Sequence, residues 1–388
     1  MKFHIILYFI LMIFTIGCSD EITYRLDKGY EDELSSDVFS DSDIYPYSPA
    51  IDIEDICDIG DTFTASDELL YSDITDVNFY ESPSMVVNKD YLPLLKKIIS
   101  DAKNNILILH QEFLSGSTLD QLQNDLVSAK NRGVNVRVLL EKDVDANSQR
   151  IDSLRAQGID AALDSSSKTL HLKLVLADNR YILLGSTNLS YSSFMSNNEV
   201  NLFIDDVDLA KKYYEYANNL LSDNNKFSKV YCSNCDIIPI GDGQYADIVT
   251  PYIDSASGRV YVIMYQFAYD NDTSTPNGKI TKSLIDAKNR GVNVKLLLEY
   301  SSFDSTLNST NQNTSTYLKG KGIDVRMDSK DVVTHAKLLI ADDYVVIYSG
   351  NWVYSALTNN HEIGALLKYS KITEYAVNYF NTLFNSAK

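Results

Sequence analysis

The sequence predicts an α/β protein made of two tandem copies of one unit, and three observations carry that expectation. The octapeptide AKNRGVNV occurs at residues 129–136 and again at 287–294. An apolar run ending in glutamate follows each copy, Arg137 to Glu141 and Lys295 to Glu299, with the period of a buried strand. At 45% hydrophobic and 22% charged, the 388 residues can bury a sizeable core, so a wholly disordered chain is excluded.

Each unit is legible in order. Apolar strands are expected at Ile106 to Leu109 and at Val260 to Met264. In the first copy a helix follows, because Leu119, Leu122, Leu126 and Ala129 share one face and Gly133 supplies a C-terminal stop. Strand, helix, strand favours a sheet with helical crossovers. The repeat resumes at Gly158-Ile159-Asp160 and Gly322-Ile323-Asp324, at an offset now larger by six residues. The insertion lies in Ser301 to Thr316, whose Ser/Thr/Asn content predicts a surface loop. The two units are set at residues 80–225 and 226–388, the second including a junction from Cys232 to Asp242.

Ahead of them lies a different kind of chain. Lys2 precedes an apolar run from Phe3 to Gly17, and Cys18-Ser19-Asp20 follows, so residues 1–18 read as an export signal too short for a comfortable membrane span. Ser19 to Phe79 holds 18 acidic residues against Arg25 and Lys28, which accounts for most of the formal charge of −19 and describes a solvated spacer over 19–79. The near-neutral remainder has no basic run of the kind nucleic-acid grooves use. Cys57, Cys232 and Cys235 are an odd number in an exported chain, and a structural disulfide using Cys232, Cys235 or both is expected.

The residues that carry chemistry recur with the repeat. His171-Leu172-Lys173 and His335-Ala336-Lys337 are each followed, after four residues, by Asp178 or Asp342. On a strand, His171 and Lys173 face one way while Leu170, Leu172, Leu174 and Leu176 face a core. Ser186 and Asn188 come next in the first copy, Ser349 and Asn351 in the second, which is one residue shorter and has Tyr348 where Gly185 stands. Glu199 and Glu362 lie eleven residues beyond each asparagine. Lone histidines on strands are usually packed structural residues, and His110 and His361 are placed in that class.

This duplicated H-x-K-x4-D-x6-G-S-x-N pattern resembles the phospholipase D superfamily, matched completely by residues 171–188 and through Asp342 in the second copy. The resemblance implies two α/β/α units about a pseudo-twofold axis, with the active site at their interface. It implies that His171 attacks phosphorus and His335 protonates the leaving oxygen, with Lys173, Lys337, Ser186, Asn188, Ser349 and Asn351 holding the phosphate. Glu199 and Glu362 would orient the imidazoles, Asp178 and Asp342 would serve the structure, and neither metal nor cofactor is required. Residues 1–18 resemble a lipoprotein signal in which Cys18 is lipidated. The expected function is an exported, membrane-anchored or secreted phosphodiesterase acting on a phospholipid headgroup by hydrolysis or transfer. A metal-independent nuclease of the same family is the alternative, and a non-catalytic surface protein a third class.

Overall fold

The computed structural model describes residues 81–387 except 223, 224 and 234. The export segment with Cys18, the spacer and Cys57 lie outside the described residues. In the first repeat β1 (Ser84–Val87), α1 (Tyr91–Asp101), β2 (Asn105–His110), α2 (Ser117–Asn131), β3 (Asn135–Leu140), α3 (Asp145–Ala156) and β4 (Asp160–Leu163) come first. β5 (Lys173–Ala177), β6 (Tyr181–Gly185), α4 (Tyr191–Met195), β7 (Val200–Asp205) and α5 (Val207–Ser222) complete it.

The second repeat runs in the same order. It begins with β8 (Ile237–Ile240), α6 (Tyr245–Ser255), β9 (Arg259–Met264), α7 (Pro276–Asn289), β10 (Asn293–Leu298), α8 (Ser305–Gly320) and β11 (Asp324–Met327). β12 (Lys337–Ala341), β13 (Tyr344–Tyr348), α9 (Tyr354–Thr358), β14 (Gly364–Leu367) and α10 (Ser370–Ser386) follow.

Both seven-stranded sheets have one topology: β1-β7-β6-β5-β2-β3-β4 in the first and β8-β14-β13-β12-β9-β10-β11 in the second. The strands joined by helical crossovers, β2-β3-β4 and β9-β10-β11, pair in parallel. Hairpin strands pair antiparallel, because a short turn allows nothing else. The motif strands β5 and β12 sit at mid-sheet, where each is fixed by a neighbour on both sides.

Alternation along the strands divides the core. Leu170, Leu172, Leu174 and Leu176 join Leu338, Ile340 and residues of α5 and α10 in one apolar layer shared by the two repeats. The opposite face of the first sheet, including Ile106 and Val138, packs under α1 to α3, and Val262 and Leu296 do the same under the second repeat's helices. The repeats are thus joined by a common core as well as by sequence.

Three expectations are corrected. The stretch 237–240, assigned to the junction, is edge strand β8, paired to β14. The inserted segment, expected as a loop, is mostly the 16-residue helix α8, against 12 residues in its counterpart α3. The side chain of Asp304 accepts the Leu307 N–H at 2.8 Å and caps it, and Leu307, Asn311, Thr314, Ser315 and Leu318 form its buried stripe. The missing residue of the second motif is lost from the β12–β13 turn, which has only Asp342 and Asp343, where Asp178, Asn179 and Arg180 link β5 to β6. Ser349 therefore keeps the register of Ser186.

Tyr348 in place of Gly185 has a matching answer across the strand pair. A Cβ on Gly185 would come within 2.5 Å of the Asn201 Cα, its register partner. In the second repeat the partner of Tyr348 is Gly364. The glycine has crossed to the neighbouring strand, and the sheet keeps its spacing.

The linker cysteines Cys232 and Cys235 are disulfide-bonded. Asp178 and Asp342 adopt positive φ, 55° and 50°, at the hairpin turns. Their carboxylates accept the N–H groups of Lys103, Asn104 and Asn105 at 2.7–3.2 Å and of Ser257, Gly258 and Arg259 at 2.8–2.9 Å. Each thereby pins the loop that enters β2 or β9. Asp342→Asn is expected to lower unfolding free energy by about 1–2 kcal/mol, read from urea denaturation, while leaving turnover per folded molecule unchanged.

Candidate active site

The two motif histidines are held by carboxylates from the opposite repeat. His171 Nδ1 lies 2.9 Å from Glu362 Oε1 and 3.0 Å from Oε2, and His335 Nδ1 lies 3.1 Å from both oxygens of Glu199. Isolated parallel bridges, Leu170 with His361 and Asn198 with Thr334, bring the segments together. The N–H of His171 donates to the His361 carbonyl at 3.1 Å, and that of His335 to the Asn198 carbonyl at 3.0 Å. Because each glutamate follows the residue that receives this bond, backbone pairing delivers the carboxylate to the imidazole. With Nδ1–H given to a carboxylate, Nε2 keeps the lone pair and faces whatever enters.

Ser186 and Ser349 stand behind these carboxylates. Ser186 Oγ donates to Glu199 Oε2 at 2.5 Å and accepts the Val200 N–H at 2.9 Å. Ser349 Oγ donates to Glu362 and accepts the Ile363 N–H at 2.9 Å. Both are fully buried with their only proton committed, which corrects the expectation that they hold a phosphate. They fix the glutamates instead. Asn188 and Asn351 are half-buried, and their Oδ1 atoms have no hydrogen-bond partner.

The lysines are buried beside their histidines, each 1% exposed. Lys173 Nζ donates to Gln111 Oε1 at 2.9 Å and to the His171 carbonyl at 3.1 Å. Lys337 Nζ donates to the His335 carbonyl at 2.7 Å and lies 5.2 Å from the centre of the Tyr265 ring, whose edge approaches His335. Burial lowers the Lys173 pKa to about 8 against the pull of Glu362, Glu112 and Glu199, and it drives Lys337 well below the ordinary lysine value.

Burial is also the main reason both imidazoles fall to about 4. The charges of Lys173 and Lys337 bear on each histidine, so all four groups lie within one another's electrostatic reach. Burial opposes ionisation of Glu199, yet His335, Lys337 and Ser186 outweigh it and bring its pKa below the ordinary value. Asp178 and Asp342 lie at the far ends of their strands, about 23 Å from the imidazoles at strand rise. His110 is fully buried in the sheet opposite Lys173, and burial holds its imidazole well below the ordinary histidine value.

Sequence reasoning passed over a second layer. Glu141 accepts the Leu170 N–H and Glu299 the Thr334 N–H at 2.7 Å, so each holds the residue just before a motif histidine. Their signal was in plain view, since both close the repeated strand-like runs. Asn88 and Asp242 occupy equivalent places, accepting the N–H of Glu199 and Glu362, each at 2.9 Å.

A family model described as "Cardiolipin synthase, PLD-like domain" matches residues 95–221 and again 249–384. The chain belongs to the phospholipase D superfamily. Over 93 residues it is 34% identical to the mitochondrial cardiolipin hydrolase of Xenopus laevis, covering 24% of this chain and 44% of that protein. It is 29% identical over 91 residues to phospholipase D of Rickettsia felis, covering 23% of this chain and 46% of the relative. The chain thus spans less than half the length of these curated relatives. The crystal structure of phosphatidylserine synthase from Haemophilus influenzae Rd KW20 shares the fold, with a TM-score of 0.63 at 11% identity over 78% of this chain and 87% of that one. In this phospholipase D-like chain the duplicated motifs therefore sit on two family-type repeats.

Burial, with Asp328 nearby, raises Glu299 from 4.5 to about 7. A raised carboxyl pKa means that the folded state binds more protons than the unfolded one between those values, so stability falls as pH rises from about 4.5 to 7. Glu299→Gln is expected to remove that slope, about 2–3 kcal/mol across the interval, in urea titrations at a series of pH values.

Proposed function

We propose that this protein is a phospholipase D-type phosphodiesterase that cleaves the headgroup bond of a phospholipid through a phosphohistidine. The observation that carries the reading is the crossed pair of His–Glu contacts, which leaves two Nε2 atoms beside two buried ammonium groups. A phosphodiester needs a nucleophile, a proton donor and compensation for its negative oxygens, and this arrangement offers all three.

In the free site both imidazoles are neutral at pH 7. His171 Nε2 attacks phosphorus as the bond to the headgroup oxygen breaks. His335 acquires its proton as the anionic phosphodiester arrives, since a neighbouring negative charge favours imidazolium, and passes it to the departing oxygen. Water or an alcohol then loses its proton to His335 and attacks the phosphohistidine, and His171 leaves with its lone pair restored. Lys173 and Lys337 neutralise the phosphoryl oxygens, while the side-chain amides of Asn188 and Asn351 are available to them.

The phospholipid substrate is supported by the names of the relatives, a cardiolipin hydrolase and a phospholipase D. Extracytoplasmic placement rests on residues 1–18 alone, with Cys18 as a lipid anchor or the apolar run as a hydrophobic one. Among the described residues no helix is long and apolar enough to cross a membrane.

The full chain is expected to release headgroup from phosphatidylethanolamine or cardiolipin vesicles. His171→Ala should lower the rate at least about 1,000-fold, and His335→Ala should accumulate label from a labelled lipid on His171. Equal release by His171→Ala would overturn the mechanism, and metal-independent cutting of single-stranded DNA with no lipid turnover would replace the substrate. The pH profile of kcat/KM follows from the site. It should fall as pH drops through about 4, where His171 becomes protonated, and fall again above it, as the proton that His335 must acquire grows scarce.

A further inference from the structure

The two halves of the site match closely, except in what stands behind the glutamates. Behind Glu199, the N–H bonds Asn88 Oδ1, which also receives the Tyr379 hydroxyl at 2.8 Å, and Asn198 Nδ2 donates to Thr334 Oγ1 at 2.9 Å. These partners are neutral. Behind Glu362 the same positions hold Asp242 and His361, both with no exposed surface. His361 Nδ1 lies 2.6 Å from Asp242 Oδ2, and the Tyr216 hydroxyl donates to Asp242 Oδ1 at 2.7 Å.

Asp242 also accepts the N–H groups of Ser228 and Glu362. Four donors thus converge on one buried carboxylate, and a charge buried there requires a partner charge. His361 is placed to supply it. From the first repeat, Asp164 faces it as a second carboxylate that feels its charge, with Glu141 beside Asp164. Lys168 lies over the Phe227 ring, whose edge meets the imidazole. The peptide of His361 is strapped to the segment entering the motif: its N–H donates to the Thr169 carbonyl at 2.8 Å, and its own carbonyl receives the His171 N–H.

We propose that Asp242 and His361 are a charge-compensated positioning pair behind Glu362 that sets the proton affinity of His171 independently of His335. With His361 protonated, the pair has no net charge and His171 remains available as an unprotonated nucleophile. Removing only the imidazolium exposes the charge of Asp242 to Glu362 and His171, which favours protonation of His171. Removing only the carboxylate lets His361 give up its proton, and the net charge is unchanged. His335, backed by amides, should respond to neither. The inference rests on the nucleophilic role proposed for His171, but its first test needs no activity.

The chain has five histidines, few enough for each imidazole to be followed by NMR in the full-length protein labelled at histidine. In wild type at pH 7, His361 should have both ring nitrogens protonated. His361→Asn, which copies Asn198, should raise the His171 midpoint by about one pH unit, a tenfold gain in proton affinity, and leave His335 within about 0.2 unit. Asp242→Asn, which copies Asn88, should render His361 neutral and leave His171 within about 0.3 unit. A neutral His361 in wild type, or shifts in His361→Asn that are absent or equal at both histidines, would overturn the proposal. If His361→Asn does not fold, the wild-type and Asp242→Asn spectra decide it. With phosphatidylethanolamine vesicles, the acid limb of kcat/KM should move upward in His361→Asn together with the His171 midpoint. A wild-type enzyme without turnover would remove the proposed function while leaving the NMR outcome to judge the pair.

Discussion

Everything at the site depends on an exchange of carboxylates between repeats. Neither half contains a complete histidine–glutamate pair: His171 takes Glu362, 191 residues away, and His335 takes Glu199, 136 residues away. Orientation of both imidazoles is therefore inseparable from the packing that joins the two sheets. The shared apolar layer of Leu172, Leu174, Leu338 and Ile340 holds the interface shut, and the two short backbone bridges set its register. A glutamate displaced by even one residue would miss its imidazole, so precision is imposed by main-chain hydrogen bonds and not by long side chains.

The same enclosure explains the electrostatics. Two glutamates and two lysines offset one another in a volume from which water is largely removed, and the histidines between them lose affinity for protons. Such a site is poised for an anion, whose unbalanced charge a proton on one imidazole can meet. Ser186 and Ser349 are spent on holding the carboxylates.

Much of this was legible in the residues. The repeated octapeptide marks the duplication, and the leucines at alternate positions follow the strand period into the shared core, whereas β5 and β12 begin only at Lys173 and Lys337, so each motif histidine stands just ahead of its strand. Which glutamate serves which histidine was not legible, because spacing along a chain says nothing about partners across an interface. α8 was missed because its Ser, Thr and Asn content has weak intrinsic helix preference; a cap at Asp304 and a buried stripe override it. Ser186 and Ser349 were misassigned because a hydroxyl can serve a phosphate or a carboxylate equally well, and only burial distinguishes them.

The glycine that changes strands has a wider meaning. Close approach at Gly185 and at Gly364 is a property of two facing backbones, and either side can supply the missing side chain. A search pattern that demands glycine within the motif itself would reject the second half of this molecule as decayed, although its sheet is intact. Integrity of such a duplicated fold is better judged on pairs of positions joined by the ladder than on consecutive letters.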